Sequence, residues 1–135
     1  MEIKTRVINV KTTKKNEMIN ITKEVQNAVS WSNVRTGIVT LFVPHTTAAV
    51  TINENADPDV KIDLIKGLVH ISPDRDEYRH YEGNSDAHIK SSLVGVSENI
   101  IIEDGLLMLG TWQGVYYCEF DGPRTRELFV KIIEG

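Results

Sequence analysis

The stretch Pro44–Asn55 constrains the fold more than any other part of the chain. An apolar run from Ile38 to Val43, broken only by Thr40, leads straight into Pro44 and His45. Ala48, Val50 and Ile52 then alternate with Thr47, Ala49 and Thr51, the two-residue period of a strand with one face on a core. That strand begins beside an imidazole and ends in Asn53, Glu54 and Asn55. A buried strand flanked by such groups needs hydrogen-bond partners for them, so both of its ends are site candidates.

Patterning elsewhere predicts the remaining elements. Ile3, Thr5 and Val7 alternate with Lys4 and Arg6, an opening strand that runs to about Val10 and is followed by a polar turn from Lys11 to Asn16. Thr22 is expected to cap a helix whose inner face holds Ile21, Val25, Ala28 and Val29 and which ends near Ser32. Asp57 followed by Pro58 is a strong helix start, because proline's missing N–H costs nothing at the first helical position. Val60, Leu64 and Leu68 form its inward face. From Ser72 to Asp86 the composition turns polar and aromatic, and a loop of this length inside a small domain points to function. Ser85 or Asp86 is placed to cap a short helix that Gly95 stops. Strands follow over Asn99–Glu103, Leu106–Leu109 and Val115–Phe120, and a last one through Leu128, Val130 and Ile132. Six or seven mostly antiparallel strands with two longer helices and one short one make the fold class α+β.

Composition narrows the function. A chain of 135 residues, 41% hydrophobic and 25% charged, has enough apolar material for one core without disulfide or metal staples. Its net charge of −4 offers no basic stripe to displace counterions, which excludes bulk nucleic-acid binding. The cluster Lys11, Lys14, Lys15 reads as a solvated turn. No apolar run is long enough to span a membrane, and Met1-Glu2-Ile3-Lys4 opens no signal peptide, so the cytoplasm is the expected location. Cys118 is the single cysteine, and its aromatic neighbours place it on a strand and not at a reactive site.

Three groups of residues can carry chemistry. His45 at a strand end, His80 in the long loop and His88 in the first turn of a helix are imidazoles of the kind that hold a catalytic zinc with one open position. No local spacing ties any two of them together, and spacing alone favours the alternative in which one caps a helix, one hydrogen-bonds in the core and one lies on the surface. His70 has no polar company and is expected to be structural. Asn53, Glu54, Asn55, Asp57 and Glu82 form an acidic and amide group that can orient an imidazole or move a proton, although turn and cap chemistry explains Asp57. Lys90, Ser91, Ser92, Thr111, Gln113 and Arg124 can hold a phosphate, whereas Arg126 reads as one of the alternating charges of an exposed final strand. Trp112 is expected in the core or at an interface.

The blocks PHTTAAVTINENADPDV, HYEGNSDAHIKSSLVG and GLLMLGTWQGVYYCEFDGPRTREL resemble the YjbQ family, also called secondary thiamine-phosphate synthases, and the similarity spans essentially the whole chain. The resemblance implies a single domain over 1–135, a mostly antiparallel sheet or half-barrel, and a homotrimer. It also implies a pocket carrying His45, Asn53, Glu54, His80, His88, Thr111, Gln113 and Arg124. If the associated activity carries over, hydroxymethylpyrimidine diphosphate joins a thiazole phosphate and diphosphate leaves. His45, His80 and His88 are then expected to hold a divalent metal, Glu54 with His45 and Asn53 to be catalytic, and Arg124 with Lys90, Ser91, Thr111 and Gln113 to bind the phosphorylated substrate. Imidazole ligands favour zinc, although magnesium is the usual diphosphate partner. The alternatives are a metal-dependent hydrolase or lyase acting on a small phosphorylated or heterocyclic metabolite, and a non-catalytic trimeric protein that binds a small anion.

Overall fold

A computed structural model describes residues 1–135. Eight strands and three helices follow one another as β1 (Ile3–Lys11), β2 (Glu17–Asn20), α1 (Thr22–Ser32), β3 (Gly37–Phe42), β4 (Ala48–Glu54), α2 (Pro58–Ile71), α3 (Ser85–Val94), β5 (Ser97–Glu103), β6 (Leu106–Leu107), β7 (Gln113–Glu119) and β8 (Thr125–Glu134). Every strand pair is antiparallel, in a five-stranded sheet ordered β1-β8-β3-β5-β6 and a three-stranded sheet ordered β2-β7-β4. The fold is α+β, and its curled antiparallel strands form a half-barrel. No helix is long and apolar enough to cross a membrane.

Alternation explains the main core. On β8, Arg126, Leu128, Val130 and Ile132 are buried while the residues between them face outward. Leu128, Val130 and Ile132 meet Val39 and Leu41 of β3, Ala48 and Val50 of β4, Val115 and Tyr117 of β7, and Val25, Ala28 and Val29 of α1 in one cluster of 18 buried residues. Gly37 is required where β3 crosses β8, since a Cβ there would stand 2.1 Å from the Ile133 carbonyl oxygen. A second, smaller cluster lies on the other face of the three-stranded sheet. Met18, Ala49, Tyr116, Cys118 and Phe120 are covered there by Ala87 of α3 and by Leu64, Ile65 and Leu68 of α2. Nothing covers the outer face of the five-stranded sheet.

Some local expectations differ from the structure. The extra strand is β2, a four-residue segment too short to show a period, which pairs with β7 from Glu17↔Glu119 to Asn20↔Tyr116. Thr22 does not cap α1. Ile21 holds that position, and Asn20 Oδ1 accepts from the Thr22 amide and hydroxyl, while Thr22 Oγ1 accepts from Val115 N. Asp57 does cap α2, its Oδ1 accepting from Asp59 N at 2.9 Å. Asn84, and not Ser85 or Asp86, stands at the start of α3. Trp112 is outside the core, 63% exposed.

Candidate active site

The turn between β3 and β4, the loop before α3, α3 itself and the start of β8 surround one open cavity of about 1040 Å³. Only three of its 17 lining residues are hydrophobic, and the lining includes His45, His80, His88, Arg124 and Arg126. Two of the three sequence groups are thereby split between this cavity and other places.

Each histidine reaches the cavity by its own route. His88 lies in α3, whose position is fixed on both sides. Ser91 Oγ donates to Ala48 O at 2.6 Å, and Asp86 Oδ2 accepts from Lys15 Nζ at 3.0 Å and Lys90 Nζ at 3.3 Å. Burial alone would raise the Asp86 carboxyl, but the two ammonium groups hold it below the ordinary aspartate range. His80 comes from the exposed loop and meets His88 edge to face, with ring centroids 5.3 Å apart. Its Nε2 is 3.9 Å from Glu82 Oε1. His45 Nε2 accepts from the Glu127 amide at 2.9 Å. That bond leaves the neutral ring's proton on Nδ1. Burial, followed by the nearby Arg126 guanidinium, holds His45 below the ordinary histidine pKa, so this ring is neutral at pH 7.

The three rings line one cavity, yet no three His, Cys, Asp or Glu side chains are disposed to hold a metal ion. His45 also spends its Nε2 lone pair on a backbone proton. A three-histidine zinc centre, as the sequence suggests, does not fit this arrangement. Magnesium, which prefers oxygen ligands, finds Asp121 Oδ2 already accepting from Asn84 Nδ2 at 2.8 Å and Arg124 Nη2 at 3.0 Å.

The cavity floor rests on a buried ion pair. Arg126, 2% exposed, donates from Nε and Nη2 to Glu119, and from Nη2 also to Thr47 O and Oγ1. Glu119 also accepts from the Thr12 hydroxyl and the Asp121 amide. Burial would raise this carboxyl, but Arg126, Asp121 and Thr12 together keep it below the ordinary glutamate range. Arg124 stands at the rim, half exposed, with Nε and Nη2 on Asp121. Sequence reasoning passed over Arg126 as a surface charge. The signal was present, because Arg126 is in phase with Leu128, Val130 and Ile132.

Several expected site residues are elsewhere. Lys90 is 1% exposed and committed to Asp86 and Asn16, so it fastens α3 and is not available to a phosphate. Ser91 lines the cavity but gives its proton to Ala48 O. Asn53, Glu54, Thr111 and Gln113 are absent from the lining. In the register of β4 with β7, Ala48 faces Glu119 at the cavity end, whereas Glu54 faces Gln113 at the far end, about 20 Å away at strand spacing. There Asn53 Oδ1 accepts from Glu54 N, Gln113 Oε1 accepts from Gly110 N, and Tyr116 O–H donates to Glu54 O. His70 is exposed at the end of α2, outside the cavity.

An antiparallel half-barrel with a polar cavity at one end of its smaller sheet defines a small α+β protein built around a histidine- and arginine-lined pocket. The chain belongs to the family described as UPF0047 protein YjbQ-like, whose pattern matches residues 6–135. It is 58% identical over 124 residues to UPF0047 protein MJ1081 of Methanocaldococcus jannaschii, covering 92% of this chain and 90% of that one. It is 50% identical over 129 residues to UPF0047 protein YugU of Bacillus subtilis, covering 95% and 98%. Among solved structures, an uncharacterized YjbQ/UPF0047 protein of Clostridium acetobutylicum superposes with a TM-score of 0.92 at 54% identity, covering 95% of this chain and 99% of that one. A protein of unknown function from Sulfolobus solfataricus gives 0.94 at 28% identity, covering 99% of both.

Proposed function

We propose that the chain is an enzyme acting on a small phosphorylated metabolite held in the histidine–arginine cavity. The reaction to test first is the thiamine-phosphate synthase type of transfer, in which a thiazole nitrogen forms a bond to the pyrimidine methylene as the bond to diphosphate breaks. The observation that carries this reading is the convergence of His45, His80, His88, Arg124 and Arg126 on one cavity from separate segments of the chain. Guanidinium groups hold phosphoryl oxygens and stabilise negative charge on a departing group. Imidazoles can supply or remove a proton. Thiamine phosphate formation by wild type and by His88→Ala, purified in parallel, tests the reading. Equal rates in the two proteins would remove it.

A hydrolase or lyase is the second reading, favoured by one observation. With three hydrophobic residues among 17, the lining does little to exclude water, which a reactive pyrimidine cation demands. Release of phosphate or diphosphate in the absence of any thiazole acceptor would select this reading over the transferase.

We also propose that copies of the chain associate, as the homotrimer implied by the resemblance, through the bare face of the five-stranded sheet. Two cross-strand rows support this. Ile3, Ile133, Ile38 and Ile101 stand side by side across four strands, and Val7, Phe129 and Phe42 across three. All seven are exposed, an apolar patch of the kind that marks an interface. Light scattering of wild type beside Phe42→Lys, which should dissociate, checks it.

A further inference from the structure

The turn Pro44–Thr47, between β3 and β4, leaves its donors idle. The amides of His45, Thr46 and Thr47 donate to no acceptor anywhere in the chain, although the Thr47 carbonyl accepts from both Phe120 N and Arg126 Nη2. Thr46 is exposed and His45 partly so, which leaves the amides of this turn to water or to an anion that enters the cavity. Thr47 itself is 5% exposed, and its hydroxyl accepts from Arg126 but donates to nothing in the chain.

Arg126 makes the independent second observation. Its Nε and Nη2 are satisfied by Glu119 and Thr47, but Nη1 makes no hydrogen bond. That nitrogen is not sealed in the protein, because the only enclosed side-chain atoms without partners are Asn84 Oδ1 and Asp86 Oδ1. A side chain 2% exposed thus presents one open guanidinium nitrogen, and the residue lines the same cavity as the turn. His45 adds a further donor, since the Glu127 amide on Nε2 leaves the ring proton on Nδ1.

We propose that the Pro44–Thr47 turn and Arg126 Nη1 form a cradle for the phosphoryl group of the substrate. This rests on the reading that the cavity takes a phosphorylated metabolite, and it identifies which residues hold the phosphate. Consecutive backbone N–H groups form anion-binding concavities, and a guanidinium behind them adds charge. The number of donors selects the class of anion. Three amides, Nη1, the Thr47 hydroxyl and His45 Nδ1–H outnumber the lone-pair sites of a planar carboxylate, whereas the three free oxygens of a phosphoryl group accept all of them. The cradle replaces Lys90, Thr111 and Gln113 as the phosphate-binding set and makes Arg124 a rim contact.

The test is an amide nitrogen–proton NMR titration of the full chain with inorganic phosphate, and with acetate as the planar control. The cradle predicts saturable shifts of the His45, Thr46 and Thr47 amides and the Arg126 side-chain resonances with phosphate, at least about tenfold weaker with acetate. Arg126→Lys, which keeps a buried charge but loses the fork, should weaken phosphate binding by about tenfold or more, its fold checked in the same spectra. Shifts confined to Arg124, His80 and His88 would overturn the cradle and leave the phosphorylated-substrate reading standing. Equal response to acetate would overturn the phosphoryl assignment, and no cavity shift at any phosphate concentration would overturn both.

Discussion

Strand β4 has polar groups at both ends, and the two ends use them differently. At the Asn53–Asn55 end the bonds are those of an ordinary strand end: Asn53 Oδ1 accepts from Glu54 N, Gln113 Oε1 from Gly110 N, and the Trp112 carbonyl from Asn55 N, with Asn53 and Asn55 exposed to solvent. At Pro44–Thr47 the polar groups are held by partners far away in sequence, Thr47 by Arg126 and His45 by Glu127, and several donors stay free. The far end is an exposed close of the β4–β7 pair. The near end is held by the buried Arg126–Glu119 pair and keeps donors open beside a cavity, the condition a binding site needs. Similar residue types therefore do not make similar places, and a buried charge with open valence marks the functional one.

The largest expected difference between the ends is in stability. Glu119→Ala strands Arg126 without its counter-charge and should cost about 3–5 kcal/mol, because an unpaired buried ion is expensive. Gln113→Ala at the far end should cost about 1 kcal/mol or less. Urea unfolding of both variants measures the contrast, and equal costs would erase it. Activity sharpens the comparison next. His88→Ala should lower turnover by about 100-fold or more, as loss of an acid–base group does, while Glu54→Gln leaves it unchanged. A comparable loss in Glu54→Gln would mean that a second copy brings its far end to this cavity.

Acid should act on the near end through Glu119. Its folded pKa is depressed, so its contribution is fully present above the ordinary glutamate value of about 4.3 and is lost as pH falls through the folded value. Glu119→Gln should flatten the acid limb of a stability–pH curve, and an unchanged limb would show that this carboxylate is not responsible. The smallest effect concerns β7, the neighbour of β4, where Cys118 pairs with Ala49. Burial pushes the Cys118 thiol up to about 12, so alkylating reagents should leave native protein unmodified at pH 8 and label it only on unfolding.

Much of this architecture could be read from periodicity. The two-residue alternation of β8, the Asp57–Pro58 helix start and the helical face of α1 are local signals, and the structure bears them out, whereas β4 is a strand as expected but is buried on both faces, Ala48 and Val50 in the larger cluster and Ala49 in the smaller. His45, His80 and His88 line one cavity, a convergence that residue type leaves open and the family resemblance implies. What failed was anything set by pairing between distant segments. Asn53 and Glu54 share a strand with the site but lie at its wrong end, and only the β4–β7 register shows this. Lys90 resembled a phosphate ligand, yet it donates to Asp86, one helical turn earlier, and to Asn16 on the β1–β2 turn, and only the second pairing lies beyond local pattern. Arg126 was legible and was misread, because its charge outweighed its phase with Leu128 and Val130.

The fastening of α3 divides the site into a fixed part and an adjustable one. His88 is bolted to β4 by Ser91 and to the β1–β2 turn through Asp86, whereas His80 arrives on a loop whose own bonds are local, Tyr78 N to Arg75 O and Gly83 N to His80 O. Residues gained or lost between Ser72 and Asn84 would shift the reach of His80 while leaving its companion in place. Selection or engineering can thus retune what enters this cavity by editing loop length, with no cost to the barrel beneath.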